Sequence, residues 1–148
     1  MKIKHLAFAL LMLQPLSYAY ATTSIADEIA VLKDSAQEGD AESQYDLAVI
    51  YYTGNVAPQD YKQAFSLFTQ SAEQGFAQAQ HALGAMYEKG NGVQQDNKQA
   101  WAWYSVAALS GRENIAMDLS SLEKKLSPAE LKQAQELAKQ YHDKYRKK

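Results

Sequence analysis

The segment that decides the fold reads YEKGNGVQQDNKQAWAWY, from Tyr87 to Tyr104. Its Gly90-Asn91-Gly92 stretch suggests either a phosphate-binding loop or a turn between two helices. A dinucleotide fingerprint requires a third glycine after a strand, and a P-loop requires Gly-Lys-Ser/Thr. Neither pattern is present, so the residues do not favour a phosphate-binding loop.

A second copy of the segment lies thirty-six residues earlier and reads YYTGNVAPQDYKQAFSLF. The residues of the first copy that recur unchanged thirty-six positions later are Gly39, Ala41, Gln44, Leu47, Tyr51, Gly54, Asn55, Gln59, Asp60, Lys62, Gln63, Ala64 and Ala72. A fixed period of this length is typical of a solenoid, whose units stack because none can bury its apolar face alone. Gly90 and Gly92 are therefore interpreted as turn residues, since glycine adopts a positive φ at little cost.

Each repeat is predicted to be a hairpin of two helices, A and B. In helix A, Gln44, Leu47, Ala48 and Tyr51 recur at i, i+3, i+4 and i+7, the spacing of one helical face. A glycine is expected to end each helix, and an aspartate followed by glutamine at the third position resembles a capping box that begins helix B. The glycines are Gly54, Gly75, Gly90 and Gly111, and the capping pairs are Asp60 with Gln63 and Asp96 with Gln99.

The two ends of the chain are predicted to be single capping helices. At the N-terminal end, Ser35 to Gly39 matches Ser71 to Gly75, which predicts a lone B-type helix over Asp27 to Glu38. At the C-terminal end, an apolar stripe from Ile115 to Leu126 precedes Ser127-Pro128-Ala129-Glu130. Serine at the N-cap, proline at N1 and glutamate at N3 are strong signals for the start of a final helix.

The pattern G-x-A-x-A-Q-x-x-L-G-x-M-Y-E-x-G-x-G-V-x-Q-D-x-K-x-A, from Gly75 to Ala100, resembles the Sel-one-like repeat, a family of tetratricopeptide-related helical hairpins. The resemblance implies an all-α fold, a short right-handed α-solenoid with N- and C-terminal capping helices. It also implies a protein that binds other proteins, as an adaptor or a regulator. Some periplasmic relatives are immunity proteins that neutralise secreted antibacterial toxins, and this alternative stays open, because the fold alone does not name a partner.

The chain divides into five segments on this interpretation. They are a signal peptide at 1–21, an N-terminal segment with a capping helix at 22–38, repeats at 39–74 and 75–110, and a degenerate repeat with a C-terminal capping helix at 111–148.

The first residues have the pattern of a secretory signal peptide. Lys2 and Lys4 precede an apolar run from Leu6 to Leu13, and Ala19-Tyr20-Ala21 provides a cleavage site. The run is too short for a membrane anchor, which needs about 20 apolar residues. We therefore expect a periplasmic or secreted protein of a Gram-negative bacterium, with no integral membrane segment after cleavage.

The composition disfavours several classes of function. The chain has no cysteine and three histidines, with neither a G-x-S-x-G elbow nor an H-E-x-x-H pair, so we predict no catalytic residues, no metal site and no cofactor. Its formal net charge of −2 disfavours nucleic acid as a partner. An enzyme or small-molecule carrier with an aromatic interior remains the alternative from another class.

Two further groups of residues have competing interpretations. The aromatic residues at repeat positions could stack on a ligand, but their helical spacing favours core packing. They are Tyr51, Phe65, Phe68, Tyr87, Trp101, Trp103 and Tyr104. The basic tail from Lys144 to Lys148 is interpreted as a solvated helix end rather than a lipid-headgroup contact.

A candidate binding surface lies beside the core face of helix A. A step of roughly 100° per residue places three residues of each A helix on the adjoining flank, which the resemblance implies is the concave side. These residues are Tyr45, Val49 and Tyr52 in the first repeat and His81, Ala85 and Glu88 in the second. They are predicted to bind a protein or peptide partner; alternatively, the two tyrosines only pack between neighbouring helices.

The predicted signal peptide can be tested directly. We expect the exported protein to begin at Thr22, because Ala19-Tyr20-Ala21 has the small residues that signal peptidase requires. Intact mass spectrometry of an envelope extract measures this, and a mass that retains Met1 to Ala21 would contradict the prediction.

Overall fold

A computed structural model describes residues 14–110 and 114–145, and their side chains from residue 25 onward except at 114. Three predictions fall outside the described residues. They concern the charged and apolar regions of the signal peptide up to residue 13, Gly111 as a helix end, and the tail residues Arg146, Lys147 and Lys148.

The described residues form an all-α solenoid. Seven helices follow one another in this part of the chain: α1 (Gln14–Gln37), α2 (Ala41–Thr53), α3 (Tyr61–Glu73), α4 (Ala77–Lys89), α5 (Asn97–Ala108), α6 (Asn114–Glu123) and α7 (Pro128–Tyr145). Each of the first five packs against the next along the chain, so α2 with α3 and α4 with α5 are the two predicted hairpins. In the notation above, α2 and α4 are A helices, and α1, α3 and α5 occupy B positions.

The N-terminal helix is longer than predicted. It begins at Gln14 rather than at Asp27, and Pro15 lies in its first turn, where a missing backbone N–H is tolerated. The predicted cleavage site after Ala21 lies within this helix. Cleavage there would shorten α1 but leave residues 22–37, which directly precede the first repeat. No described helix is both long enough and apolar enough to cross a membrane.

The predicted helix ends are confirmed where the structure describes them. Gly54 and Gly90 have φ of 70° and 72° and end α2 and α4. Asp60 accepts hydrogen bonds from the backbone N–H groups of Lys62 and Gln63, each at 3.0 Å, and Asp96 caps α5 in the same way.

The prediction that glutamine completes a capping box at the start of α3 and of α5 is wrong. The backbone N–H of Asp60 donates to Tyr51 O at 2.9 Å, and that of Asp96 donates to Tyr87 O at 3.0 Å. Because these bonds tie helix A to the start of helix B, they occupy the donors that a glutamine side chain would accept from. A complete capping box occurs at α7, where Glu130 Oε2 accepts hydrogen bonds from both the backbone N–H and the hydroxyl of Ser127. These hydrogen bonds lower the pKa of Glu130.

A buried glutamine joins each repeat to the helix before it. Gln44 Nε2 donates to Ala36 O and Gln80 Nε2 donates to Ala72 O, both at 3.1 Å. The residue one period further is Ala116, which is exposed and has no amide to donate. The regular stacking contact therefore ends with the second repeat.

Small residues allow the two helices of a hairpin to approach closely. A Cβ on Gly84 would lie 2.5 Å from the ring of Tyr104, which is 3% exposed. The equivalent pair in the first repeat is Ala48 with Phe68, at 0% and 3% exposed.

The C-terminal helices pack differently from the two repeats. Both α6 and α7 pack mainly against α5 rather than against each other, so they do not reproduce the hairpin contact. Ile115 and Leu122 of α6 and Ala134 and Ala138 of α7 join the buried cluster around Trp101. The last repeat is thus covered on two sides.

Gly92 allows the turn of the second repeat to lie against α3. Its φ is 71°, and a Cβ there would overlap the carbonyl group of Tyr61. The equivalent residue in the first repeat is Val56, which is 52% exposed because no earlier hairpin lies beside it.

We expect Gly92→Ala to destabilise the protein more than Gly39→Ala. Gly39 also has a positive φ, of 97°, but a Cβ there would meet nothing within 4 Å. Backbone strain alone costs about 1–2 kcal/mol. The overlap at Gly92 should add at least about 1 kcal/mol, because backbone must move to relieve it. Urea unfolding measures both changes, and equal losses would show that the turn is not held against α3.

Candidate functional site

The six candidate residues form a band along the A helices, called here the A-helix face. Tyr45, Val49 and Tyr52 lie on α2, and His81, Ala85 and Glu88 lie on α4. All six are half-buried, so each contributes to packing and remains accessible. This intermediate burial follows from their position, one helical step away from the core residues.

The two tyrosines pack against the hairpin interior. The Tyr45 ring centroid lies 5.3 Å from that of Phe76 and 5.6 Å from that of Phe68. Tyr52 lies 5.2 Å from Tyr61, and its hydroxyl accepts a hydrogen bond from Asn91 Nδ2 at 3.1 Å. These contacts connect α2 to both α3 and the second repeat, which gives the packing interpretation a direct basis while leaving part of each ring exposed.

His81 is paired with a residue that the sequence did not single out. Its Nε2 lies 3.0 Å from Asp118 Oδ2 on α6, and its ring centroid is 5.1 Å from that of Tyr104. The side chains of His81 and Asp118 are 38% and 37% exposed, so solvent screens the pair and its contribution to stability is small.

Glu88 has two partners. Its Oε2 accepts from the Tyr104 hydroxyl at 3.2 Å, and its Oε1 lies 2.8 Å from Lys125 Nζ. Burial, followed by the charge of Glu88, raises the pKa of Tyr104 well above its ordinary value. Tyr104 therefore remains protonated and donates to Glu88 throughout the physiological pH range.

His81 and Glu88 do not contact each other but bind separately to the C-terminal segment. Asp118 and Lys125 lie seven residues apart, as do His81 and Glu88. Each contact between the two segments joins a carboxylate to a histidine or a lysine. This matched spacing was available in the sequence as a sign that Asp118 and Lys125 pair with side chains of α4. The second-repeat half of the A-helix face is therefore partly covered by the chain itself.

The aromatic residues are confirmed as core residues at four positions. Phe68, Trp101, Trp103 and Tyr104 are between 3% and 8% exposed. Phe65 and Tyr87 are half-buried and contact each other edge to face, with centroids 5.4 Å apart. Aromatic pairs with this geometry stabilise a core beyond the area that they bury.

Two clefts open on the surface of the part of the chain that the structure describes. A cleft of about 490 Å³ lies beside Gln80, Val106 and Ser110, and another of about 360 Å³ lies between α1 and α3. No group of three or more histidine, cysteine, aspartate or glutamate side chains in the described part of the chain is arranged to hold a metal ion.

Comparison with known families identifies the hairpins. The model of the Sel1 repeat matches residues 41–76 and 77–111. The two central hairpins are Sel1 repeats. Solenoids of Sel1 repeats commonly act as scaffolds for protein–protein interaction, and they are typically not catalytic.

Two solved structures share the architecture of these Sel1 repeats. One is a protective antigen present in uropathogenic Escherichia coli strains, which displays an SLR fold; it is 33% identical over 79% of this chain and 25% of its own, with a TM-score of 0.75. The other is a Sel1 repeat protein from Oxalobacter formigenes, 37% identical over 62% of this chain and 26% of its own, with a TM-score of 0.60. The chain spans about a quarter of the length of either structure. No curated protein matches it.

The packing role of Tyr52 can be separated from its hydrogen bond. We expect Tyr52→Ala to lower the free energy of unfolding by about 2 kcal/mol, less than for a fully buried aromatic residue because the ring is half-exposed. Tyr52→Phe should cost at most about 1 kcal/mol, since it removes only the bond from Asn91. Thermal and urea unfolding measure both, and a larger loss for Tyr52→Phe would show that the hydrogen bond dominates.

Proposed function

We propose that the protein is a non-catalytic, periplasmic interaction module that binds a protein or peptide partner on its A-helix face. The observation that carries the proposal is the half-buried state of all six residues of this face. Aromatic and apolar groups there are held by the fold yet remain accessible, as in the anchor residues of protein interfaces. In related solenoids this side of the A helices is concave and suits an extended partner.

The first repeat provides the more available half of the face. Tyr45 and Tyr52 are fixed by aromatic neighbours, so they would lose little side-chain entropy on binding. Val49 lies between them on the same flank of α2 and is half-buried. This arrangement presents two amphipathic rings around an apolar centre, which fits an apolar or aromatic side chain of a partner.

The second repeat adds polar groups to the same face. His81 with Asp118 and Glu88 with Lys125 form two partly exposed pairs between α4 and the C-terminal segment. Charged groups at the rim of an interface contribute more to specificity and association rate than to affinity. The proposed partner therefore places apolar groups on α2 and polar groups near α4.

The periplasmic location rests on the signal-peptide pattern of residues 1–21. The non-catalytic role is supported by the use of the titratable side chains on this face as structural pairs between helices. Recovery of a secreted toxin as the partner would identify the immunity role, whereas recovery of an envelope protein would identify an adaptor.

The face is tested with two matched valine substitutions. Partners are captured from periplasmic extract with the purified protein, and the affinity of the recovered partner is then measured for Val49→Asp and Val31→Asp. Val49 is on the A-helix face, whereas Val31 is 66% exposed on α1. We expect Val49→Asp to weaken binding by at least about 1 kcal/mol and Val31→Asp to leave it unchanged, because a buried carboxylate at an interface loses its hydration.

Circular dichroism and thermal unfolding of both variants provide the control for folding. Unchanged affinity in folded Val49→Asp, or an equal loss in Val31→Asp, would exclude the A-helix face as the binding surface.

A further inference from the structure

The protein contains a helix-binding groove that its own C-terminal helix occupies. This groove lies between α3 and α5, and α7 runs over it. Tyr141 and Tyr145 stack on Trp103 with centroids 4.6 and 5.7 Å away and ring planes within 26° and 20°. The Tyr141 hydroxyl donates to Gln99 Oε1 at 2.6 Å, and the Tyr145 hydroxyl donates to Glu73 Oε1 at 2.9 Å. Two tyrosines four residues apart thus hold α7 in what we call the occupied groove.

The repeat generates a second groove of the same kind one period earlier. It lies between α1 and α3, has a volume of about 360 Å³, and is lined by Lys33, Gln37, Leu47, Tyr51, Gln63 and Leu67, among others. A shift of thirty-six residues maps its floor, Leu47 and Tyr51, onto Leu83 and Tyr87. The same shift maps Gln63 onto Gln99 and Leu67 onto Trp103. We call this the open groove.

The side chains that would bind a helix are exposed in the open groove. Gln63 is exposed, whereas its equivalent Gln99 is half-buried beneath Tyr141. Leu67 is half-buried, whereas its equivalent Trp103 is 4% exposed. The two grooves share α3 as a common wall, so the open groove continues the surface on which α7 already packs.

The charges of the two grooves differ at one end. In the occupied groove, Glu73 accepts from Tyr145, and the neighbouring Lys144 places its ammonium 4.8 Å from the Tyr145 ring centroid. In the open groove, neutral Gln37 replaces Glu73, and Lys33 replaces Thr69. Lys33 makes no ion pair within the described part of the chain. The open groove therefore complements an acidic helix end, whereas α7 ends in a basic one.

We propose that the open groove binds an amphipathic helix of a partner protein, one that presents two aromatic side chains four residues apart and a carboxylate near Lys33. One aromatic residue would pack on Leu67 and bond to Gln63, as Tyr141 packs on Trp103 and bonds to Gln99. A second copy of this chain fits less well, because the apolar side of its α7 already packs against α5 and its basic end would face Lys33. The open groove has the B-position helices α1 and α3 as walls and the core side of α2 as its floor, and its lining does not include Tyr45, Val49 or Tyr52 of the A-helix face.

A pair of peptides tests the groove. Both have the sequence of residues 128–145, and one carries Lys144→Glu. Peptide at micromolar concentration does not displace the tethered α7, whose effective concentration is in the millimolar range. We expect the Lys144→Glu peptide to bind the purified protein at a ratio of one to one and at least about fivefold more tightly than the native peptide, as measured by fluorescence anisotropy.

Substitutions in the protein locate the bound peptide. Lys33→Glu should reverse the preference between the two peptides, and Gln63→Ala should weaken both at least about threefold, since each loses a hydrogen bond. Leu67→Asp should abolish binding. Lys33 and Gln63 are exposed, so these two variants remain informative even if Leu67→Asp fails to fold. The matched control is Lys124→Glu, which reverses an exposed charge in the turn after α6 and should leave both affinities unchanged.

Three results would overturn the proposal. The first is no saturable binding of either peptide, and the second is binding that Lys33→Glu and Gln63→Ala leave unaltered. The third is a dimer of the purified protein, seen by light scattering, that Leu67→Asp abolishes, because the occupant would then be a second copy.

Discussion

The solenoid depends on a buried glutamine that joins each A helix to the B helix before it. Gln44 and Gln80 are 3% and 4% exposed, and each donates to a backbone carbonyl near the end of the preceding helix. One such bond contributes only about 1 kcal/mol net, but a buried amide without a partner costs about 1–3 kcal/mol. Stacking in any other register would leave that amide unpaired, so glutamine makes one arrangement of neighbouring hairpins preferable to others.

The two copies of this contact differ in their surroundings. In the first repeat, Gln74 Nε2 donates to Gln44 Oε1 at 2.8 Å. The residue one period later is Ser110, whose hydroxyl donates instead to Ala107 O at 2.7 Å. The smaller serine leaves the cleft of about 490 Å³ beside Gln80. The site beside Gln44 is thus filled by the side chain of Gln74, whereas the equivalent site beside Gln80 is an open cleft.

The ends of the solenoid determine which surfaces remain for a partner. At the C-terminal end, α6 pairs with the A helix of the second repeat while α7 covers the groove between α3 and α5. At the N-terminal end, α1 packs on α2, and no helix among residues 14–110 and 114–145 covers the equivalent groove. The first repeat consequently presents both an accessible A-helix face and an open groove, whereas the second is partly covered on both sides. Repeats with the same helical architecture therefore differ in which of their surfaces are accessible.

The sequence by itself determined the local architecture. The period, the helix-ending glycines and the capping aspartates each act within a few residues, so Gly54, Gly90, Asp60 and Asp96 could be assigned without tertiary contacts. The six-residue face also followed from helical geometry. Only the tertiary structure decided what covers that face, because Asp118, Lys125 and Asn91, which bind His81, Glu88 and Tyr52 respectively, lie thirty-seven or more residues away in the chain. The packing of α7 across α3 and α5, which leaves one of two equivalent grooves open, depends on such distant contacts, and no local pattern encodes them.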